Sequence, residues 1–534
     1  DTLIEPFYKD LDFGTGGMRG IMGVGTNRIN PYTLGLATQG LAVYAHQSMG
    51  RKDLKAAIAY DSRNNSQSFA RKVAEVLSAN GVHTYLFEEL RPTPELSFAV
   101  RELGCDFGIV LTASHNPKEY NGYKVYWNDG GQLVPPHDKG VIEQVRATRF
   151  EDIRWDANEA LIENVGTELD EKYTDMIAGL SLSNAGKTDL NIVFTALHGT
   201  SIVSVPPALA KAGFTNVQLV EAQSTPDGNF PTVASPNPEE SAALAMAVAQ
   251  AEATGADLVI GCDPDTDRVG IAVNDGTGKM QLLNGNDTAA LLVHYILDAY
   301  KTNGTLPANG FTAATVVTTD LIADISAAYG VPCYRCLTGF KWIADIINNK
   351  PEEQFLVGGE ESYGYLIGDE VRDKDAVASA VMIAEMAANA KAQGRTVLQQ
   401  LEAIHREFGQ YQERLIAVTK KGRSGAQEIA DMMTALRNDP PKTLAGSPVI
   451  IAIDHGKSTQ TDLLTGATSS TELPASNVLQ FITEAGDKVS ARPSGTEPKI
   501  KFYFSVRATT GDSHAATKAE LERKIDTFIE ELNL

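Results

Sequence analysis

Apolar residues fall into two alternating textures over the first third of the chain. Residues 54–60 are almost wholly apolar and read as a buried strand, closed by Asp61-Ser62-Arg63. Phe69, Val73, Val76 and Leu77 then recur at helical spacing, with Ser66 as the expected N-cap and Gly81 as the stop. Residues 82–87 predict a second strand, and Thr93-Pro94 opens a second helix with proline where its missing N–H costs nothing. Residues 107–111 predict a third strand, which runs into Thr112-Ala113-Ser114-His115-Asn116-Pro117. The order β-α-β-α-β implies a parallel sheet with right-handed crossovers.

The rhythm returns twice. Strands at 190–195, 217–220 and 258–260, with helices at 203–212 and 238–253, lead into Asp263-Pro264-Asp265-Thr266-Asp267-Arg268. Strands at 314–317, 331–334 and 355–357, with helices at 320–329 and 340–348, lead into Gly358-Gly359-Glu360-Glu361-Ser362-Tyr363-Gly364. Each round therefore ends with a strand delivering a polar, Gly- or Pro-rich loop. Open α/β sheets bind ligands beyond the carboxyl ends of their strands, so three such loops can serve one cleft. After residue 408 strands are expected at 412–418, 449–453, 478–483, 488–491 and 500–506, with helices at 426–436 and 518–532. The predicted fold is α/β: three consecutive α/β domains with mixed, mainly parallel sheets, then a smaller α+β domain. A length of 534 residues suits three or four domains, and the expected divisions are 1–168, 169–285, 286–408 and 409–534.

Charge narrows the partners. The formal net charge of −22 disfavours a nucleic-acid or anionic-membrane surface, both of which need basic patches. A phosphorylated small molecule stays compatible if a few cations are focused in one cleft. Of the four cysteines, Cys333 and Cys336 have metal-like spacing but no second pair, so they are expected to be buried thiols in a reducing cytoplasm. Residues 376–390 form an apolar stretch that contains Glu385 and reads as a buried helix.

The loops carry the candidate chemistry. Asp263, Asp265 and Asp267 alternate, so in an extended segment their carboxylates share one side and invite a hard divalent cation. An EF-hand is excluded, since its required Gly and Glu places hold Arg268 and Asn274. Arg268 suits either a phosphate or a salt bridge to one of the aspartates. Ser114 lacks the glycines of a hydrolase elbow, and His115 beside it is expected to point away in extended backbone. Two readings of Ser114 stay open, a helix cap or a phosphorylated residue completing a metal shell. Lys124, on an expected strand at 123–127, is either a surface lysine or a proton carrier with a lowered pKa. Glu360 and Ser362 look like acceptors for sugar hydroxyls. The run Arg492-Pro493-Ser494-Gly495-Thr496-Glu497-Pro498-Lys499 is a phosphate cradle or an ordinary hairpin turn.

These four motifs, in this order, resemble the alpha-D-phosphohexomutase superfamily of phosphoglucomutases and phosphomannomutases, and the likeness begins at Gly14-Thr15-Gly16-Gly17-Met18-Arg19-Gly20. The resemblance implies four domains around a central cleft, the last closing over the substrate. It implies a phosphoserine at Ser114 and Mg²⁺ held by that group with Asp263, Asp265 and Asp267. Arg19, His115, Lys124 and Arg268 match family positions near the reacting phosphate, with Lys124 as the family-like general base. Thr338, Gly339 and Lys341 match a sugar-recognition loop, and Lys374 a phosphate-proximal lysine. Arg492, Ser494, Gly495, Thr496 and Lys499 match the loop gripping the phosphate not transferred. The implied reaction moves a phosphoryl group within a hexose through a bisphosphorylated intermediate, with a sugar 1,6-bisphosphate as primer. The implied partner is a small phosphosugar, bound by a cytoplasmic monomer or homodimer. Gly359-Glu360-Glu361-Ser362-Tyr363-Gly364-Tyr365 departs from the phosphomannomutase pattern. With the Gly14–Gly20 opening it is similar to a bacterial phosphoglucomutase branch related to phosphopentomutases. Glucose phosphate is the first expectation, pentose phosphate the second and mannose phosphate the third. A silent phosphosugar-binding protein and a phosphoserine-dependent phosphatase are the competing classes.

Overall fold

The helix Pro31–Met49, which the apolar pattern does not announce, packs through small residues. A methyl group added at Gly35 would lie 2.6 Å from the Trp155 ring, and one at Gly40 would lie 2.7 Å from the Val145 backbone. Close approach thus replaces the bulky apolar stripe by which such a helix is usually recognised. The structure, a computed structural model, describes residues 4–14, 16–420, 422–494, 499–511 and 513–534.

Strands β1 (Gly17–Ile21), β2 (Lys55–Tyr60), β3 (His83–Phe87), β4 (Phe107–Leu111), β5 (Tyr120–Trp127) and β6 (Ile162–Val165) form one sheet, ordered β1-β5-β4-β2-β3-β6. The pairs β4–β2, β2–β3 and β3–β6 are parallel, whereas β1–β5 and β5–β4 are antiparallel. Its core joins Ile58, Ile109 and Val125 of the sheet to Leu34, Leu41, Val73 and Leu77 of the covering helices. Strands β7 (Ile192–Thr195), β8 (Val217–Leu219), β9 (Leu258–Cys262), β10 (Val269–Asn274) and β11 (Met280–Leu283) form a second sheet, ordered β11-β10-β9-β7-β8. Here β7 is parallel to both β8 and β9, while β9–β10 and β10–β11 are antiparallel. Next come β12 (Gly310–Thr315), β13 (Cys333–Cys336), β14 (Gln354–Glu360) and β15 (Gly364–Ile367), with β14–β15 antiparallel. One rule recurs: β4, β9 and β14 are each followed along the chain by their antiparallel partner, after eight, six and three residues.

The last region holds β16 (Gln410–Thr419), β17 (Thr443–Leu444), β18 (Ser447–Asp454), β19 (Thr459–Asp462), β20 (Thr468–Ser470), β21 (Leu479–Thr483), β22 (Lys488–Pro493) and β23 (Lys499–Ala508). Their antiparallel order is β16-β23-β22-β21-β18-β19-β20, with β17 beside β18. Phe502 and Phe504 pack with Ile525 and Phe528 of the closing helix His514–Glu531. Each such ring contributes about 2–3 kcal/mol by leaving water. His405 and His514 stack with ring centroids 5.1 Å apart, and Nδ1 of the first lies 2.8 Å from Nε2 of the second.

The chain forms two compact units, Asp1–Ala313 with Gly339–Leu398, and Ala314–Thr338 with Gln399–Leu534. Among the described residues no helix is long and apolar enough to cross a membrane.

Several expectations shift. Ser66 is the first residue of the helix Ser66–Ala79 and not its cap, because its hydroxyl donates to Asp61 at 2.8 Å; Asn65, at φ 67°, stands at the cap position. The helix expected from 238 starts at Ser241, and the strand expected at 314–317 is β12, ending at Thr315. Cys333 is half-buried where a buried thiol was expected, while Cys336 is buried. The stretch at 376–390 is the buried helix Ala376–Ala392, and Glu385 is buried there because Lys187, Tyr295 and the backbone of Leu182 and Ser183 satisfy it.

Candidate active site

The turn after β4 depends on Ser114, whose left-handed φ of 52° reverses the chain toward β5. Its N–H donates to the Thr112 hydroxyl at 2.8 Å, and its Oγ donates to Asp263 Oδ2 at 2.9 Å. That second bond spans the end of β4 and the end of β9, which belong to different sheets. The backbone here is not extended, so His115 does not point away as expected: its Nδ1 lies 3.2 Å from Ser114 Oγ. Burial, with the nearby charges of Arg268 and Arg19, pushes His115 well below the ordinary histidine range, which keeps the ring neutral.

The turn after β9 is also not extended, since Thr266 takes φ 59°. The three carboxylates converge all the same. One oxygen each from Asp263, Asp265 and Asp267 lies within 4.8 Å of the others, and all three residues are buried. At that spacing two carboxylates repel by about 3 kcal/mol at an effective dielectric of about 20. Asp263 Oδ1 accepts the N–H groups of Asp267 and Arg268 at 3.1 and 3.0 Å, which ties the turn to itself. Burial and the two neighbouring carboxylates push Asp263 well above the usual carboxylate range. For Asp267 burial acts in the same direction, but Lys124, Lys374 and Arg268 outweigh it and hold the group below that range. Among the described residues, Asp265 Oδ1 and Asp267 Oδ1 are buried without a hydrogen-bond donor. An all-oxygen set with two orphaned atoms fits a hard divalent cation.

Lys124, on β5, is neither a surface lysine nor a lysine of lowered pKa. Its Nζ lies 2.7 Å from Asp265 and 3.1 Å from Asp267, and only 12% of its side chain is exposed. Burial alone would lower its pKa, but the two carboxylates overcome that and raise it. Lys374 lies 3.2 Å from Asp267 and 3.0 Å from Asp373. It is placed by the start of helix Ala376–Ala392, where Asp375 accepts the N–H groups of Val377 and Ala378. Arg268 pairs with Glu239 and sits 3.8 Å from Asp267, so its main partner is not one of the aspartates. Arg19, on β1, is exposed and donates to Asn116 at 2.8 Å.

The turn after β14 repeats the device, with Tyr363 at φ 65°. Its carbonyl accepts the Val269 N–H at 3.0 Å, joining this turn to the one after β9. Glu360 is buried and accepts the Gly339 N–H at 2.7 Å; Ser362 is half-buried in the turn. Thr338 Oγ1 is buried without a partner among the described residues. Lys341 Nζ is directed to the Leu133 carbonyl at 3.4 Å and to Asp138 at 3.9 Å. In the second unit, Arg492 and Lys499 stand at the facing ends of β22 and β23, and the Ser494 N–H donates to the Lys499 carbonyl at 2.7 Å. Gly495 and Thr496 lie outside the described residues. Residues the motifs did not single out also shape the site: Thr93, which donates to Asp265 at 3.2 Å, Glu239, Asp373 and Arg63. Only Arg63 carried a sequence signal, a charge directly after a strand.

The chain matches three family models described as phosphoglucomutase/phosphomannomutase, alpha/beta/alpha domains I, II and III, over residues 10–152, 171–276 and 284–408. It is 38% identical over 525 residues to a phosphoglucomutase of Staphylococcus epidermidis, covering 95% of both chains. The chain belongs to the phosphoglucomutase/phosphomannomutase family. A phosphoglucomutase of Staphylococcus aureus is 37% identical to this family member, over 96% of this chain and 92% of its own. The fold agrees with that of pp63/parafusin, a phosphoglucomutase from Paramecium in its open form, at a TM-score of 0.70 and 17% identity, covering 98% of this chain and 96% of the other. As a member of this family the chain is an enzyme, a phosphotransferring mutase acting on hexose phosphates.

Proposed function

We propose that this mutase interconverts hexose 1-phosphate and hexose 6-phosphate, glucose being preferred, by passing a phosphoryl group through Ser114. The observation that carries the reading is the 2.9 Å contact between Ser114 Oγ and Asp263, beside a buried carboxylate trio and two lysines. Asp263, Asp265, Asp267 and the phosphorylated Ser114 would hold Mg²⁺. Bound there, the ion supplies positive charge that offsets the carboxylate repulsion and weakens the attraction raising the Lys124 pKa.

Phosphoserine 114 gives its phosphoryl to the free hydroxyl of a sugar monophosphate: its P–Oγ bond breaks and a P–O bond to the sugar forms. Lys124, acting in its neutral form, takes the hydroxyl proton, and the Ser114 oxygen leaves as an alkoxide facing Asp263. After the bisphosphate turns over, its other phosphoryl returns to Ser114 and Lys124 gives the proton back to the oxygen released. Arg19, His115, Arg268 and Lys374 orient and offset the charge of the group in transit, the kind of contribution that dominates phosphoryl transfer. Glu360 and Ser362 receive sugar hydroxyls, with Thr338, Gly339 and Lys341 completing recognition. Arg492, Ser494, Gly495, Thr496 and Lys499 grip the other phosphate. The reading also holds that the chain has four domains, 1–168, 169–285, 286–408 and 409–534, and that a sugar 1,6-bisphosphate primes the enzyme. The sparse cysteines, four in 534 residues, support a cytoplasmic setting.

The test compares glucose, mannose and ribose 1-phosphates with Mg²⁺ and a trace of glucose 1,6-bisphosphate. Isomerised sugar phosphate with the highest kcat/KM for glucose is expected; release of inorganic phosphate in place of isomerised product would overturn the proposal.

A further inference from the structure

Arg63 touches none of the groups assigned above except through backbone. It follows β2, and neither its side chain nor that of Asp61 is exposed at all. Its Nη2 donates to the carbonyls of Ser114, at 2.6 Å, and Asn116; its Nη1 donates to those of Pro117 and Tyr120, at 2.9 and 3.0 Å. Three carbonyls of the segment between β4 and β5, and that of Tyr120 at the start of β5, therefore converge on one guanidinium. That convergence requires the chain to curl, and the left-handed Ser114 stands at the curl. Deprived of the cation, the carbonyls would crowd together without donors, so an extended loop would compete with the curled one.

The guanidinium is held from two further sides. Asp61 lies 3.4 Å from Nε and is itself fixed by the Arg63 N–H at 2.9 Å and the Ser66 hydroxyl at 2.8 Å. Above it lies the Phe230 ring, with its centroid 5.1 Å from the guanidinium carbon. Phe230 belongs to a turn pressed onto Arg63 and Asn64: a methyl group at Gly228 would lie 2.3 Å from the Asn64 nitrogen, and Asn229 accepts from Asn64 at 3.1 Å. The turn comes from the part of the chain that carries the second sheet, as does Asp263.

We infer that Arg63 is a positioning residue for the transfer, curling the loop so that Ser114 Oγ faces Asp263, and that the turn at 228–230 locks it in place. The inference rests on the phosphoserine reading above. A lysine cannot replace Arg63, because its three donors leave one point whereas the guanidinium spreads its donors over a planar fork.

Arg63→Lys is expected to lower kcat about 10²-fold, the usual consequence of misplacing a reacting group by about 1 Å. KM for glucose 1-phosphate should stay within about threefold, because the sugar contacts are untouched. The rate at which glucose 1,6-bisphosphate phosphorylates dephosphorylated Ser114, read by rapid quench and mass spectrometry, should fall by the same factor as kcat. Gly228→Ala keeps every charge, and pressing on the Asn64 backbone should lower both rates about tenfold. Should Arg63→Lys not fold by near-ultraviolet circular dichroism, Gly228→Ala decides. Wild-type phosphorylation rates in folded variants, or a loss found wholly in KM, would overturn the inference. Turnover surviving Ser114→Ala would overturn the phosphoserine reading instead, so the two failures are distinguishable.

Discussion

The turns after β4 and β9 have the same backbone plan and opposite means of support. Both reverse a strand through one left-handed residue, Ser114 in the first and Thr266 in the second. The first presents a neutral hydroxyl and is held through its backbone, by the Arg63 guanidinium. The second presents three carboxylates and is held through its side chains, by Lys124 and Lys374 and by amide donors to Asp263. A neutral nucleophile can be aimed only by fixing the chain that carries it. Carboxylates can be aimed by the cations they attract, but they repel one another until a further charge arrives. The first turn should therefore govern rate, and the second should govern metal dependence and stability.

Ser114→Ala breaks the comparison at its strongest point. It should abolish turnover by about 10⁴-fold or more, as loss of a covalent nucleophile does, with Tm unchanged within about 2 °C. A coupled assay with a melting curve reads both. Lys124→Met should cost about 10³-fold in kcat by removing the proton carrier. It should also lower Tm, since Asp265 and Asp267 lose a buried counter-charge.

Asp263→Asn sharpens the contrast between the turns. Asp263 titrates above its unfolded value, so without metal it stabilises the fold most at acid pH, and that contribution is lost as pH rises through the raised folded value. At pH 7 in EDTA the variant should be more stable than the parent by about 1 kcal/mol, or about 2 °C in Tm. Added Mg²⁺ should raise the parent's Tm and leave the variant's almost unmoved. A parent that melts higher than the variant in EDTA would show the trio to be compensated without a metal.

A last effect guards against misreading acid sensitivity as a property of the aspartates. Burial, with the charges of His514 and Lys518, lowers His405 to about 4. Its neutral form is the one that folds, so its contribution is complete above about pH 6.5 and is lost as pH falls toward about 4. His514 is lowered in the same direction by burial. The second unit should thus lose about 3 kcal/mol over that window, and His405→Gln should flatten the acid limb of its unfolding curve.

What could be read from the sequence was what the sequence holds locally. Three alternating aspartates, and a serine after a run of five buried residues, signal their chemistry without a fold, and the structure brings them together. His115 was misread because serine gives no sign that it will adopt a left-handed conformation, and that conformation alone turns the imidazole toward Oγ. The Lys124 pKa was misread because its sign depends on which charges lie nearest, and the two carboxylates approach from another sheet. The helix Pro31–Met49 was missed because its packing at Gly35 and Gly40 depends on Trp155 and Val145, far along the chain. Arg63 looked like a polar residue at the end of a strand; its four acceptors exist only once β4 and β5 are paired.

The immediate return of β4, β9 and β14 as antiparallel partners restricts how such a protein can diverge. An inserted residue in the short turn between β14 and β15 would slip that ladder and exchange the inward and outward faces of a strand. Length is thus closed to variation at that turn, and change there must come by replacing one side chain with another. The stretch at 338–341 is less constrained, since it leads from β13 into the helix Lys341–Asn349. A lineage altering its sugar would be expected to lengthen or shorten the chain there before touching the turn between β14 and β15.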